Sequence, residues 1–356
     1  MVFDVPAVYG GALSVLNDFY NEVSSHKDKS INWIFVISKP LLKETDNIKV
    51  LRFPYIKKSW LHRQYFDTIV APKLVKKYKV DKILSLQNVT ISKTKVSQIM
   101  YLHQPLPFAE YKFSFKENWV FWTYQNIIGK KIIESMKIAD QVIVQTEWMK
   151  DASIKEASIS KQKVHIVPPV INIENKDFFI NKEESLSTFF YPASAFTYKN
   201  HEVIVKACRQ LKKETNINFK VIFTLNGNEN KNIVKLYKEK EREKLPIEFK
   251  GRMTREQVFE LYTKSILIFP SYIETFGLPL LEAKVHKGLI FASDCAFSHE
   301  ILDDYDNAYF FNPFEVGDLL SLMKGVLNKE IKYINLNDED TTLEVKRKEN
   351  LIDVLF

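Results

Sequence analysis

Glycine is scarce in this chain, with nine residues in 356. Each glycine therefore marks a backbone requirement more often than it would in an ordinary loop-rich protein. Cysteine is scarcer still, with Cys208 and Cys295 alone. Two thiols so far apart form neither a metal spacing nor a disulfide framework, and a reducing cytosol is the expectation. No run of about 18 apolar residues occurs, which argues against a transmembrane helix. The opening MVFDVPAVYGG lacks the charged start and apolar core of a secretory signal. No internal repeat or low-complexity tract interrupts the pattern.

What is present is ordinary for a globular protein, and 356 residues suit two domains better than one core. The net charge of +7 is uneven. Residues 1–180 hold 26 Lys+Arg against 17 Asp+Glu, whereas residues 181–356 hold 25 against 27. The first half is thus the basic half. A basic face serves anionic lipid, nucleic acid or a phosphorylated acceptor. A solvated lysine-rich surface is the plain alternative.

Strand and helix patterns alternate along the chain, which implies parallel sheets with helices on both faces. FDVPA reads as the tail of a first strand, GGALSVLNDFYNEV as an amphipathic helix and WIFVIS as a strand. A helix is expected over Arg63 to Tyr78. Strands follow at DKILSLQ and at QIMYLHQP, the latter ending at His103. A long helix over Asn118 to Ala139, the strand QVIVQT, a helix over Thr146 to Ala157 and the strand VHIVPP close a first domain at 1–172. Residues 173–187 are polar and unpatterned and read as a linker. A second alternation fills 188–335, from TFFYPAS through helices His201 to Glu214, Asn230 to Lys244 and Arg255 to Thr263 to the strands LIFASD and AYFFN. The tail 336–356 is expected to pack back on the first domain, with Asp338 to Asp340 as a solvated loop.

One stretch carries more chemistry than the rest. SILIFPS, Ser265 to Ser271, reads as a buried strand, and PSYIETFGLPLLEA follows as a loop and a helix start. Pro279 suits the first helical turn, and Gly288 lies just past the last. A helix N-terminus after a strand and a short loop binds anionic groups through free N–H groups near Thr275 to Leu278. Glu274 and Glu282 flank that anion site. Two carboxylates around a phosphate position suit a ligand with both phosphates and hydroxyls, such as a nucleotide-sugar.

The pattern P-S-x-x-E-x-F-G-x-x-x-x-E-A resembles the E-x7-E signature of retaining glycosyltransferases of family 4. The resemblance extends over nearly the whole chain and is densest from Phe249 to Pro313. It implies an α/β GT-B fold, two Rossmann-like domains whose parallel sheets face across a cleft. It implies that Glu274 contacts the donor sugar's hydroxyls and that Phe276, Gly277 and Leu278 offer N–H groups to the diphosphate. Glu282 then takes the ribose hydroxyls, since an ionised carboxylate is a pure acceptor suited to a diol. Lys199, in YPASAFTYKNH, matches the family's diphosphate lysine. Where the family has an arginine five residues earlier, this chain has Ser194. Arg252, in FKGRM, is a substitute, although that segment more often lies by the base. Gly10 and Gly11 match a glycine turn close to the donor phosphates or the acceptor. His103 matches a histidine near the reacting sugar carbon. The chain starts close to that glycine turn, with a shorter first strand than the family has or with a truncated start.

An aromatic stretch, including Phe108, Phe115, Trp119 and Trp122, is flanked by Lys112, Lys116, Lys130 and Lys131. Core packing accounts for half of it. The remainder resembles a membrane-interface surface, suited to a polyprenyl-linked acceptor.

The resemblance implies a retaining, metal-independent transferase without a cofactor, using a nucleotide-sugar donor and a glycan or polyprenyl-linked acceptor. The expected setting is bacterial surface polysaccharide assembly, in the cytoplasm or peripheral at the inner membrane face, with no nucleic-acid partner. Two other readings stand beside it. One is a GT-B-fold nucleotide-sugar epimerase, and the other is a non-catalytic nucleotide-sugar-binding protein.

Overall fold

The computed structural model describes residues 1–8, 10–169, 177–336 and 350–356. Residues 173–176 of the expected linker and 337–349 of the expected tail, including Asp338 to Asp340, lie outside the described residues. The chain divides into two compact units, Met1–Val170 with Val345–Phe356, and Ile171–Glu344.

The first unit is built on β1 (Val2–Asp4), α1 (Gly10–Ser25), β2 (Trp33–Ile37), β3 (Ile48–Arg52), α2 (Trp60–Tyr65), α3 (Ala71–Lys77), β4 (Lys82–Ser85), β5 (Ser97–Tyr101), α4 (Trp119–Thr123), α5 (Gly129–Ile138), β6 (Gln141–Val144), α6 (Glu147–Ala157) and β7 (Val164–Ile166). Its seven strands are all parallel, in the order β3-β2-β1-β4-β5-β6-β7. β3 escapes the sequence pattern because its burial is patchy: Ile48 is buried while Lys49 and Arg52 are exposed. That is the usual state of an edge strand.

Register assigns the helices to faces. Phe3 pairs with Val36 and Ser85, Ser85 with Met100, and Met100 with Val142, so these side chains share one face. Phe66, Ala71 and Val75 pack on Phe3 and Val36, and Ile132 and Met136 pack on Met100 and Val142. The α2–α3 and α4–α5 runs therefore cover the same face, and α1 covers the other with Val2 and Leu84. Each run is broken by a π turn, Phe66–Val70 and Tyr124–Ile128. Pro72 near the start of α3 has no N–H with which to continue an α ladder. Gly129 lets its helix pass Pro107, whose Cβ would lie 3.1 Å from an added methyl.

The second unit follows α7 (Glu183–Leu186) with β8 (Thr188–Tyr191), α8 (His201–Glu214), β9 (Lys220–Phe223), α9 (Lys231–Glu243), β10 (Ile247–Phe249), α10 (Arg255–Tyr262), β11 (Ile266–Phe269), α11 (Leu278–Val285), β12 (Ile290–Ser293), α12 (Ala296–Leu302), β13 (Ala308–Phe311) and α13 (Val316–Leu327). Its six parallel strands run β10-β9-β8-β11-β12-β13. The strand order reverses at β8 and β11, the switch point where open α/β sheets bind ligands. Part of the segment that reads as a linker is laced to this unit. The Phe179 N–H donates to the His286 carbonyl and the Ile180 N–H to the Thr263 carbonyl, each at 2.8 Å.

A last helix, α14 (Leu351–Leu355), belongs to the first unit. Leu351, Ile352 and Leu355 are buried in the core beneath α1, and the Ile352 N–H donates to Glu22 Oε1 at 2.7 Å.

Candidate functional site

Strand β11 is buried along its whole length, as its run Ile266–Phe269 requires. Its carboxyl end opens into the loop 270–277, which ends at Gly277 with φ +84°. A side chain at Gly277 would adopt a disfavoured backbone and meet Leu280 Cδ1 at 3.2 Å. Gly277 thus turns the chain into α11, with Pro279 in the first turn. Phe276 is buried and anchors the turn, while Leu278 is exposed at the helix start. Thr275 lies in the same loop.

The neighbouring loop, after β8, carries Lys199 at the end of the 3₁₀ turn Thr197–Lys199. Three hydrogen bonds fix this turn. The Tyr191 hydroxyl donates to the Lys199 carbonyl at 2.7 Å, and the Tyr272 N–H donates to the Tyr198 carbonyl at 3.1 Å. Ser271 Oγ donates to that same carbonyl at 3.4 Å. The Lys199 ammonium forms an ion pair with Glu274 Oε1, and each side chain is only 16% exposed. A pair so far withdrawn from water interacts more strongly than a surface pair.

Glu282 projects from α11 and is also nearly buried. Burial pushes its carboxyl above the usual range, and Arg255 and Tyr262 oppose that shift. The Tyr262 hydroxyl donates to Glu282 Oε2 at 3.1 Å. Arg255 Nη2 lies 3.6 Å from Glu282 Oε1, its guanidinium 5.0 Å from the Phe259 ring centroid. Tyr262 and Arg255 lie outside the sequence-level set, because nothing in the sequence says that the end of α10 meets α11. Arg252 is exposed in the turn after Gly251, and no ion pair holds it among the described residues. The guanidinium that reaches Glu282 is Arg255, three residues further on.

In the first unit, Gly10 and Gly11 are the first residues of α1 and are exposed. Gly10 has φ +66°, which glycine accommodates, whereas Gly11 has no such need. Neither would meet another atom within 4 Å if it carried a side chain. The strand expected to end at His103 stops at Tyr101, and His103 lies in the following loop. Its N–H donates to Asn88 Oδ1 at 2.7 Å, which ties the loops after β4 and β5 together. Its Nδ1 is buried with no hydrogen-bond partner among the described residues. Burial lowers its pKa to about 4, so the ring is neutral at pH 7.

Other buried polar groups share this carboxyl edge. Asp4, the last residue of β1, is fully buried, and neither of its oxygens has a hydrogen bond of ordinary geometry. Ser38, directly after β2, and Gln87, two residues after β4, are also buried without partners for their side-chain atoms among the described residues. The pKa of Asp4 stands well above the usual carboxyl value, driven by burial and opposed by the nearby Ala7 amide, Arg63 and Lys57.

Residues 172–340 match the family model for Glycosyl transferases group 1. That match falls on the second unit. Over 193 residues the chain is 23% identical to the O-antigen chain mannosyltransferase RfbU of Salmonella typhimurium, covering 54% of this chain and 52% of that protein. The chain thus spans about half the length of the curated relative it matches. Among solved structures, sucrose-phosphate synthase from Thermosynechococcus elongatus superposes with TM-score 0.69 at 13% identity, covering 92% of this chain and 89% of that one. Anabaena Alr3699/HepE in complex with UDP-glucose gives 0.64 at 13% identity, covering 92% and 89%. The lipopolysaccharide outer core galactosyltransferase WaaB gives 0.61 at 17% identity, covering 94% and 91%. The fold is that of the GT-B glycosyltransferases.

Proposed function

We propose that this chain is a retaining glycosyltransferase that moves a sugar from a nucleotide-diphosphate sugar to a hydroxyl of a glycan or polyprenyl-linked acceptor. One arrangement carries the reading. At the switch point of a group 1 domain, Lys199 and Glu274 converge beside the N-terminus of α11, with Glu282 eight residues on.

The proposed roles follow from charge and geometry. Amides from Phe276 to Leu278 and the Lys199 ammonium take the diphosphate, whose charge grows as the glycosidic bond breaks. Glu274 leaves Lys199 in part and accepts hydrogen bonds from the donor sugar. Glu282, steadied on Oε2 by Tyr262, takes the ribose diol. In a front-face transfer the leaving diphosphate helps to deprotonate the incoming hydroxyl. His103, neutral at pH 7, serves as a hydrogen-bonding group near the sugar. Transfer is metal-independent because lysine and helix amides supply the positive field. The setting is bacterial surface polysaccharide assembly, with the enzyme peripheral at the cytoplasmic face of the membrane.

Thermal stabilisation by UDP-glucose, UDP-galactose and GDP-mannose selects the donor. The selected donor is then incubated with the enzyme, with and without EDTA. The expected results are slow nucleoside-diphosphate release insensitive to EDTA, and its loss in Glu274→Ala. With an acceptor, NMR should show the donor's anomeric configuration kept. An epimerised donor without accumulating nucleoside diphosphate identifies an epimerase. Binding without turnover identifies a sensor.

A further inference from the structure

Large apolar side chains at the surface are not spread evenly. Among the described residues eighteen are exposed, and eight of these lie in just two segments, 60–69 and 115–127. Of these eight, the most exposed are Trp60 (68%), Leu61 (72%), Tyr65 (55%), Phe115 (61%), Trp119 (62%) and Ile127 (54%). A concentration of this kind marks an interaction surface, whereas scattered exposure does not. The aromatic stretch in the sequence supplies only one of the two segments. Within it, Phe108, Phe113 and Phe121 turn out to be buried.

Topology brings the segments to one end of the unit. Both helical runs are crossovers between parallel strands on the same face of the sheet. A crossover helix runs against the strands, so it begins at their carboxyl end. Trp60 and Leu61 open the first run and Trp119 opens the second. The two runs are also tied to each other. Asp67 accepts from Arg63 at 2.9 Å and pairs with Lys131 at 3.5 Å. The aromatic helix starts therefore border the same carboxyl edge that carries Gly10, Gly11 and His103.

Charge identifies the partner. Residues 54–77 hold six Lys+Arg against one Asp, and residues 110–137 hold five Lys against three Glu. The excess of seven cations equals the net charge of the whole chain. Lys57, Lys58, Lys112, Lys116 and Lys130 are all exposed around the apolar side chains. Tryptophan, tyrosine and leucine ringed by lysine suit the headgroup layer of an anionic bilayer. No helix among the described residues is long and apolar enough to cross a membrane, so contact would be at the surface.

We propose that the helix start at Trp60–Leu61 and the turn and helix start at Phe115–Trp119 form one two-part surface that docks the first unit on an anionic membrane. The proposal deepens the functional reading above, since it would bring a polyprenyl-linked acceptor to the edge that carries His103. It does not need that reading to be tested.

The test uses the full chain and vesicles of phosphatidylcholine with 30% phosphatidylglycerol, against phosphatidylcholine alone, as roughly the anionic content of a cytoplasmic leaflet. Flotation is expected with the anionic vesicles at 50 mM salt and should fall by about tenfold at 500 mM, where the screening length is only a few ångströms. W60S/L61S and F115S/W119S should each lower partitioning by about tenfold, through loss of buried apolar area. Donor-induced thermal stabilisation should be unchanged in both variants. Should a variant unfold, quenching of the wild-type tryptophans by brominated lipid decides instead, with strong quenching expected. No flotation and no quenching at low salt would overturn the proposal. So would binding that ignores lipid charge, or a dimer in solution that buries the same residues. Normal docking with no donor turnover would instead count against the transferase reading.

Discussion

The two sheets end differently at their carboxyl edges. In the second unit the polar groups are largely satisfied: Lys199 with Glu274, Tyr262 and Arg255 with Glu282, and Ser293 Oγ donating to the Ser271 carbonyl at 2.6 Å. Among the described residues, His201 Nε2 and Ser298 Oγ are the exceptions there. In the first unit Asp4, Ser38, Gln87 and His103 hold buried polar atoms that make no hydrogen bond of ordinary geometry among the described residues. Buried polar groups are rarely left unpaired, and those that are call for water, a ligand or a role in function. On the proposed reading, the second edge is organised before its ligand arrives. The first stores hydrogen-bonding capacity that the described residues do not use. A donor presents the same phosphates and ribose in every turnover and favours a built site. Acceptor hydroxyls arrive with the other substrate, and spare polar groups suit their recognition.

The sharpest way to break this contrast is to unpair the second edge. Lys199→Met and Glu274→Gln should each lower turnover by about 10²–10³-fold, the effect of removing one charge-stabilising group. Because the two act as a pair, the double variant should be little worse than either single one. Nucleoside-diphosphate release measures all three, and strictly additive losses would mean that the ion pair plays no part in turnover. On the first edge, Gly11→Val should lower turnover by at least about tenfold while stability stays within about 0.5 kcal/mol, since the added side chain meets open space. Gly10→Val, at φ +66°, should instead cost about 1–2 kcal/mol of stability. Full activity in Gly11→Val would remove the glycine turn from the ligand's path.

The sequence made the second edge readable and left much of the first obscure. Glu274, Gly277, Pro279 and Glu282 are linked by local rules, a strand, a tight turn and a helix start, and local rules can be read along a chain. Parallel sheets followed from strand–helix alternation. Tyr262 and Arg255 became visible only once α10 packed beside α11. Asp4 looked like the tail of a strand, because burial at a sheet centre depends on which strands flank it. Trp60 and Leu61 gave no warning, since two apolar residues at a helix start read as core until the exposed face is known. The missing arginine at Ser194 was legible, but the position of Arg255 beside Glu282 was not.

Asp4 offers a smaller test on the first edge. Charging a buried carboxyl is costly, so Asp4→Asn should be more stable than wild type at any pH where the wild-type group is ionised. The direction of the pH dependence follows from its raised pKa. The folded state holds the proton more tightly than the unfolded chain. Wild-type stability should therefore fall as pH climbs from the unfolded value of 3.8 through the raised one. Asn cannot titrate and should abolish that slope. Denaturant midpoints across the acid range measure it. A strongly destabilised Asn variant would show that Asp4 has partners of its own, and the contrast between the edges would weaken.

The smallest effect asks whether the second edge is as finished as its hydrogen bonds suggest. Tyr262 is almost fully buried, and its hydroxyl is spent on Glu282. Tyr262→Phe keeps the ring and removes only the donor, so little cavity opens. Its cost should be about 1 kcal/mol, the net value of one hydrogen bond. That cost should fall on ribose recognition rather than on the fold. Wild type should bind UDP better than 2′-deoxy-UDP, because Glu282 has one fewer hydroxyl to hold in the deoxy ligand. In Tyr262→Phe the ratio should shrink by about fivefold as Glu282 loses its fixed orientation. With less opposition to burial, the carboxyl should also stay protonated to higher pH, and the acid limit of UDP binding should move toward neutrality. An unchanged ratio with UDP still bound would leave Glu282 in the ribose site but make Tyr262 mere packing. No binding of UDP by wild type would remove the ribose site itself.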